Sequence, residues 1–89
     1  MGTGIKQQMA DLMSLPKEII LDLPQVILTG SGEVSIENYR SIIEYSATYT
    51  RINTNSGILL ITGHDLLLKQ MTAEHITIAG EIAKLEYLR

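Results

Sequence analysis

The chain has 89 residues, no cysteine and a formal net charge of −3, which limits it to one small domain held together by apolar packing. The acidic balance argues against a nucleic-acid-binding surface, because such a surface needs Lys and Arg gathered on one face. No apolar run approaches the ~20 residues that span a bilayer, and the N-terminus lacks the regions of a signal peptide. We therefore expect a cytoplasmic protein.

The first segment has the pattern of a short amphipathic helix. Its apolar residues recur at helical spacing and would share one face: Ile5, Met9, Leu12 and Met13. Pro16 disfavours helical geometry at Leu15, so we expect a helix over residues 4–14 within a segment 1–15, followed by a single domain at 16–89. Such a short helix is marginal in isolation, so this stripe must dock on the protein's own sheet, which we favour, on a partner or on a membrane surface.

From Ile19 onward, short runs with a period of two alternate with Gly and Pro, which indicates a series of antiparallel strands. In the segment 33–37, Val34 and Ile36 would face inward and the polar residues between them would face water. The segment 58–61 is apolar throughout, which is typical of a central strand covered on both faces. The predicted fold class is therefore all-β, with mostly antiparallel strands in a roll or sandwich-like arrangement and one short N-terminal amphipathic helix.

Local features also predict a turn and a bend. Residues 53–57 contain Asn and Gly, which tolerate the positive φ of a tight hairpin turn. In the last segment the apolar phase changes after Ile82, so we expect a bend or bulge within 80–83. The tripeptides at 61–63 and 78–80 form a faint repeat, which we interpret as the similar turn residues of successive hairpins rather than as a solenoid.

The residues show no catalytic or metal-binding pattern. The two histidines, His64 and His75, lack the spacing of zinc ligands and are expected to flank turns or strand ends in solvent. The glycine-rich segment 29–32 lacks the lysine of a phosphate-binding loop, and no serine lies in a nucleophile motif. We therefore predict that the protein is not an enzyme and has no catalytic residue, cofactor or metal.

Two sets of side chains suggest binding instead. Arg51 could pair with Glu44 or Glu37 across strands, and an exposed pair of this kind contributes less than about 1 kcal/mol. Four tyrosines could line a shallow site for a small molecule or glycan, although Tyr in a strand is more often ordinary packing. These are Tyr39, Tyr45, Tyr49 and Tyr87.

A series of short motifs follows Leu15 in a particular order. They are Ile36-Glu37-Asn38, Ile43-Glu44-Tyr45, Arg51-Ile52-Asn53, the Gly57 turn, Ile61-Thr62-Gly63, Ile78-Ala79-Gly80-Glu81-Ile82 and Leu85-Glu86-Tyr87. In these motifs the chain resembles the YabP/YqfC family of sporulation proteins. One departure is Ser41, which stands where the family commonly has Gly.

The resemblance implies a protein of endospore-forming Firmicutes, made in the mother cell and needed for building the spore envelope, with no enzymatic activity attached. It also implies a membrane-associated partner such as a YqfD-like protein, at which this chain would be peripheral. We therefore expect a structural or adaptor module that binds itself or a membrane protein, through a sheet edge or through the helical stripe. The candidate partner-binding residues are that stripe and Arg51. The alternative is a small-molecule or glycan-binding module of the forming spore wall.

Overall fold

The computed structural model describes residues 22–88, which form one antiparallel sheet of six strands. In chain order the strands are β1 (Gln25–Thr29), β2 (Glu33–Glu37), β3 (Tyr39–Tyr45), β4 (Tyr49–Thr54), β5 (Gly57–Met71) and β6 (His75–Leu88). Their order across the sheet is β1-β2-β6-β5-β4-β3. The all-β prediction is confirmed, whereas the helix expected at residues 4–14 lies outside the described residues.

The long hairpin of β5 and β6 is the spine of the sheet. These strands have 15 and 14 residues, and they pair from Ile58 opposite Leu88 to Met71 opposite Ile76. The first part of β5 also pairs with β4, and the first part of β6 pairs with β2. The hairpin β3–β4 therefore flanks one half of the spine, and the hairpin β1–β2 flanks the other half. The β4–β5 turn lies at Asn55 and Ser56, within the predicted range.

The pairing of β5 with β6 is irregular where the two halves meet. Between the pairs Thr62–Lys84 and Gly63–Ile82, Ala83 is an extra residue on β6. A bulge of this kind bends the strand and increases its local twist. The bulge expected within residues 80–83 is therefore confirmed.

Gly63 and Gly80 lie at this bend, where the main chains approach too closely for a side chain. A Cβ on Gly63 would lie 1.9 Å from the carbonyl oxygen of Glu81, and a Cβ on Gly80 would lie 2.7 Å from that of Asp65. Gly80 also has a φ of +141°, which disfavours other residues. The repeated tripeptides thus end inside strands at the bend, and our interpretation of them as turn residues is wrong.

Side chains from both halves of the folded sheet form one core. Val34 and Ile36 are fully buried, as their alternation predicts. In β5, Leu59 belongs to the core while Leu60 is half-buried on the opposite face. Among the described residues, the buried core comprises Val34, Ile36, Tyr39, Ile52, Leu59, Ile61, Leu66, Ile76 and Ile78.

Two tyrosines of β3 bind the second part of the spine, although β3 is not its neighbour in the sheet. The Tyr45 hydroxyl donates to the carbonyl oxygen of Leu66 at 3.3 Å and accepts from the N–H of Leu68 at 3.0 Å. The Tyr39 hydroxyl donates to the carbonyl oxygen of Thr72 at 2.7 Å. Because they connect β3 to the second part of β5 and to the β5–β6 turn, these hydrogen bonds help to hold the sheet folded.

We predict that Gly63→Ala lowers the free energy of unfolding by more than about 3 kcal/mol or prevents folding, because its Cβ would collide with a backbone oxygen. Gly32→Ala is the matched control, since its Cβ would lie 3.8 Å from the nearest atom. That change should alter stability by no more than about 0.5 kcal/mol. Urea unfolding followed by circular dichroism measures both, and equal stabilities for the two variants would contradict this assignment of the bend.

The buried Oγ1 of Thr50 has no hydrogen-bond partner within residues 22–88. Thr50→Val should raise the free energy of unfolding by about 1 kcal/mol, because an unsatisfied hydroxyl is removed from the core. Thr54 is the control on the same strand, since its buried Oγ1 donates to the carbonyl oxygen of Gly57 at 2.6 Å and accepts from the N–H of Ser56 at 3.0 Å. Thr54→Val should therefore lower stability in the same urea titration. A loss of stability in Thr50→Val would show that its hydroxyl is satisfied.

Candidate interaction surface

Free strand edges are the places where this sheet can accept another chain, because they carry unpaired backbone N–H and C=O groups. In the described part of the chain, β1 and β3 form the two outer edges. The second part of β5, at residues 66–71, and the second part of β6, at residues 83–88, each pair with only one strand. These four edges differ in how well they are protected.

The β3 edge is protected by its shape and by charge. Its pairing with β4 shifts register twice, which makes Arg40 and Ile43 extra residues on β3. Bulges and charged side chains both hinder the addition of a strand to an edge. Arg40 and Glu44 supply the charge, and each is held in an ion pair, with Asp22 and Arg51 respectively.

The free edges of the spine are also occupied or charged. On β5, the N–H of Leu66 donates to the carbonyl oxygen of Ala47 at 2.8 Å, and the Tyr45 hydroxyl binds further along the same edge. On β6, Lys84 and Glu86 form an ion pair at 2.9 Å, next to the bulge. Neither edge offers a flat and uncharged run of backbone.

The β1 edge differs from the other three. It contains neither a charged residue nor proline, and it pairs with β2 without a register shift. Ile27 and Leu28 point to opposite faces, and each is 48% exposed. Exposed, flat and apolar edges are the ones that readily pair with another strand. We therefore take residues 25–29, the β1 edge, as the candidate interaction surface.

Side-chain hydrogen bonds connect β2, the strand that pairs with β1, to β6. His75 Nδ1 is 2.5 Å from Glu37 Oε2, and His75 Nε2 is 3.2 Å from Ser35 Oγ and 3.0 Å from Thr77 Oγ1. These groups lie on the face opposite Val34, and they link β2 to its neighbour in the sheet. His75 begins β6, as expected of a strand end, but it is half-buried rather than fully in solvent.

Arg51 lies away from the β1 edge, on β4 near the opposite side of the sheet. Its Nη2 is 2.6 Å from Glu44 Oε1, so the predicted cross-strand pair forms with Glu44 and not with Glu37. The Tyr49 hydroxyl donates to Glu44 Oε2 at 2.9 Å, and this hydrogen bond, with the carboxylate charge, raises the pKa of Tyr49 above its ordinary value of 10.0. The structure thus gives Arg51 a partner within its own chain, and its role in partner binding stays a prediction.

The stripe of Ile5, Met9, Leu12 and Met13 lies outside the described residues, so its docking also stays a prediction. The β1 edge itself was not predicted from the sequence. The one signal there is an uncharged apolar run, Val26-Ile27-Leu28, directly before the glycine-rich turn. That run does not show that the strand lies at an edge.

The four tyrosines do not line a common site. Tyr39 is buried in the core, and Tyr45 reaches across the fold to β5. Tyr87 packs against the core, whereas Tyr49 lies on the other face of the sheet beside Glu44. The structure thus does not bring the four rings together on one face, and the small-molecule or glycan-binding alternative stays a prediction.

Within residues 22–88, neither a metal-binding cluster nor a membrane-spanning helix is present. No group of three or more His, Cys, Asp or Glu side chains in this range could hold a metal ion. No helix in the same range is long and apolar enough to cross a membrane.

Comparison with known proteins places the chain in a family. The model of the YabP family matches residues 22–89, which include all six strands. The chain is also similar to the Bacillus subtilis (strain 168) protein named "Uncharacterized protein YqfC", with 25% identity over 84 residues that cover 94% of this chain and 90% of the relative. The match extends over most of the chain and confirms the resemblance seen in the motifs, and the protein therefore belongs to the YabP family.

Proposed function

We propose that this protein is a non-enzymatic structural or adaptor module of spore-envelope formation, which acts by adding a protein strand to its β1 edge. The observation that carries the proposal is the state of that edge: it is uncharged and free of bulges, and Ile27 and Leu28 are exposed on its two faces. Such an edge joins an extended strand through main-chain hydrogen bonds and needs neither a pocket nor a cofactor.

The protection of the other edges supports this choice of surface. Where a small sheet exposes several edges, those that do not bind a partner are normally blunted by charge, bulges or caps. Here β3 has two bulges, β5 is capped by Tyr45 and Ala47, and β6 carries Lys84 and Glu86. Among residues 22–88, the β1 edge has none of these devices, and we infer a binding role from its exposure.

Membership of the YabP family supports the biological setting. The family resemblance implies synthesis in the mother cell of a sporulating bacterium and a membrane-associated partner such as a YqfD-like protein. We propose that the chain works in the mother-cell cytoplasm and reaches the membrane through this partner. In this arrangement the β1 edge binds a strand of the partner or of another copy of the chain, and the helical stripe is a second contact.

The test is affinity purification of the tagged protein from detergent-solubilised sporulating cells, with mass spectrometry of the proteins that accompany it. Ile27→Lys should remove most of the specific partner, because it places a charge on the β1 edge. Ile43→Lys is the matched control, since Ile43 is 44% exposed on the β3 edge, and it should retain the partner. Both variants should unfold at the same urea concentration as the parent protein, which separates lost binding from lost folding.

Three outcomes would each reject a part of the proposal. Equal recovery of partners by the parent protein and Ile27→Lys would reject the β1 edge as the binding surface. The double change Met9→Asp and Leu12→Asp tests the helical stripe in the same experiment, and unchanged binding would remove that stripe from the proposal. Normal spore envelopes in a strain that carries Ile27→Lys would reject a role for this edge in envelope formation.

A further inference from the structure

We infer that the β1 edge pairs with the β1 edge of a second copy of this chain, antiparallel and centred on Ile27. This inference deepens the proposed function and rests on it for the role of the edge. It names the occupant, which the proposed function leaves as either a partner protein or another copy. The grounds are the sequence of β1, the faces that its side chains occupy and the absence of charge along it.

The order of polar and apolar side chains in β1 is the same in both directions along the strand. Gln25 and Thr29 are polar, and the three residues between them are apolar. In an antiparallel pair centred on Ile27, Gln25 of one copy lies opposite Thr29 of the other. The two Ile27 residues lie opposite each other, and Val26 lies opposite Leu28. Every pair therefore matches polar with polar or apolar with apolar, which favours cross-strand pairing.

The pairing also covers apolar surface that the single chain leaves exposed. Val26 and Leu28 lie on the core side of the sheet, because their partners Ile36 and Val34 are fully buried. Val26 packs against the core, whereas Leu28 beside it is 48% exposed. In the centred pair, each Leu28 contacts Val26 of the other copy, so the two cores become continuous across the junction. The exposed Ile27 side chains cover each other on the opposite face.

The charge pattern is consistent with self-pairing. A β1 edge without Lys, Arg, Asp or Glu has no ionic means of selecting an acidic or basic partner strand. A second copy of β1 is itself uncharged, so it brings no like charge against the first. The same surface is used on both copies, so the contact has two-fold symmetry and closes at two chains. The result is one continuous sheet across the dimer.

The size of the contact determines how it must be measured. Five residues from each chain are fewer than the roughly 20 residues a side of a standard stable interface. The dimer should therefore be reversible and should form mainly where the protein is concentrated. Sedimentation equilibrium of the full chain over a wide range of concentrations should show a monomer–dimer equilibrium.

Single-cysteine variants test the register, because the chain has no cysteine of its own. Opposing Cα atoms in an antiparallel pair lie about 4.5–5.5 Å apart, which is within disulfide range. Ile27→Cys should therefore form a cross-linked dimer on mild oxidation, at least about tenfold faster than the equally treated Ile43→Cys. Val26→Cys and Leu28→Cys should cross-link to each other in a mixture, and much more slowly when each is alone.

A charge on the edge gives a second readout that needs no cross-link. Ile27→Lys should raise the dissociation constant of the dimer at least about tenfold, because two like charges would face each other. Ile43→Lys should leave the constant unchanged. The inference is overturned if the parent protein stays monomeric up to about 1 mM, at which even a weak contact would be detected. It is also overturned if Ile43→Cys cross-links as fast as Ile27→Cys, or if Val26→Cys alone cross-links as fast as its mixture with Leu28→Cys.

Failure of this inference is distinguishable from failure of the proposed function. A monomeric protein that still retrieves a membrane protein through Ile27 would overturn self-pairing and keep the adaptor role. A dimer that Ile27→Lys disrupts, in a strain that still builds normal envelopes, would keep self-pairing and overturn the proposed role of the edge.

Discussion

The fold depends on a close approach of two main chains at the middle of the long hairpin. At Gly63 and Gly80 the backbones of β5 and β6 leave no space for a Cβ. This contact, together with the bulge at Ala83, bends both strands, so that the apolar face of one half packs against the apolar face of the other. A small open sheet with one solvated apolar face would bury too little surface to be stable, and the bend lets the two halves within residues 22–88 bury their apolar side chains against each other.

The bend also determines which strands become edges. One residue, Asn38, separates β2 from β3, yet these strands lie at different positions in the two halves. Asn38 has a φ of +63°, and its side chain donates to the carbonyl oxygen of Leu23 at 3.1 Å, while its N–H donates to that of Glu74 at 2.6 Å. The chain is thus redirected from one half of the sheet to the other. As a consequence, β1 and β3 lie at opposite ends of the strand order.

Local features of the structure could be predicted from the sequence, because they depend on neighbouring residues. The alternation at Val34 and Ile36 indicated the buried face of β2, and the phase change after Ile82 located the bulge. The order of strands could not be predicted in this way, because it depends on contacts between residues far apart in the chain. The same limit applies to Gly63, since only the strand opposite it shows why a side chain cannot fit.

The β1 edge could not be identified from the sequence, because strand order depends on contacts between residues far apart in the chain. A continuous apolar run such as Val26-Ile27-Leu28 is typical of a strand covered on both faces, and only the strand order shows that β1 is an edge. Arg51, by contrast, was singled out by its residue type, and it forms an ion pair with Glu44 on a different part of the sheet. Residue type thus indicated local pairing correctly, whereas the exposure of a strand edge required the fold.

Self-pairing of the β1 edge can be measured through its backbone amides. The most direct measurement is amide hydrogen exchange by NMR at low and high protein concentration, because pairing engages backbone N–H groups of β1 that no strand within residues 22–88 of the same chain pairs with. Self-pairing predicts that the outward-facing amides within residues 25–29 exchange more slowly as concentration rises, while those at 39–45 do not change. Exchange at residues 25–29 that is independent of concentration, or slowing at 39–45 instead, would contradict it.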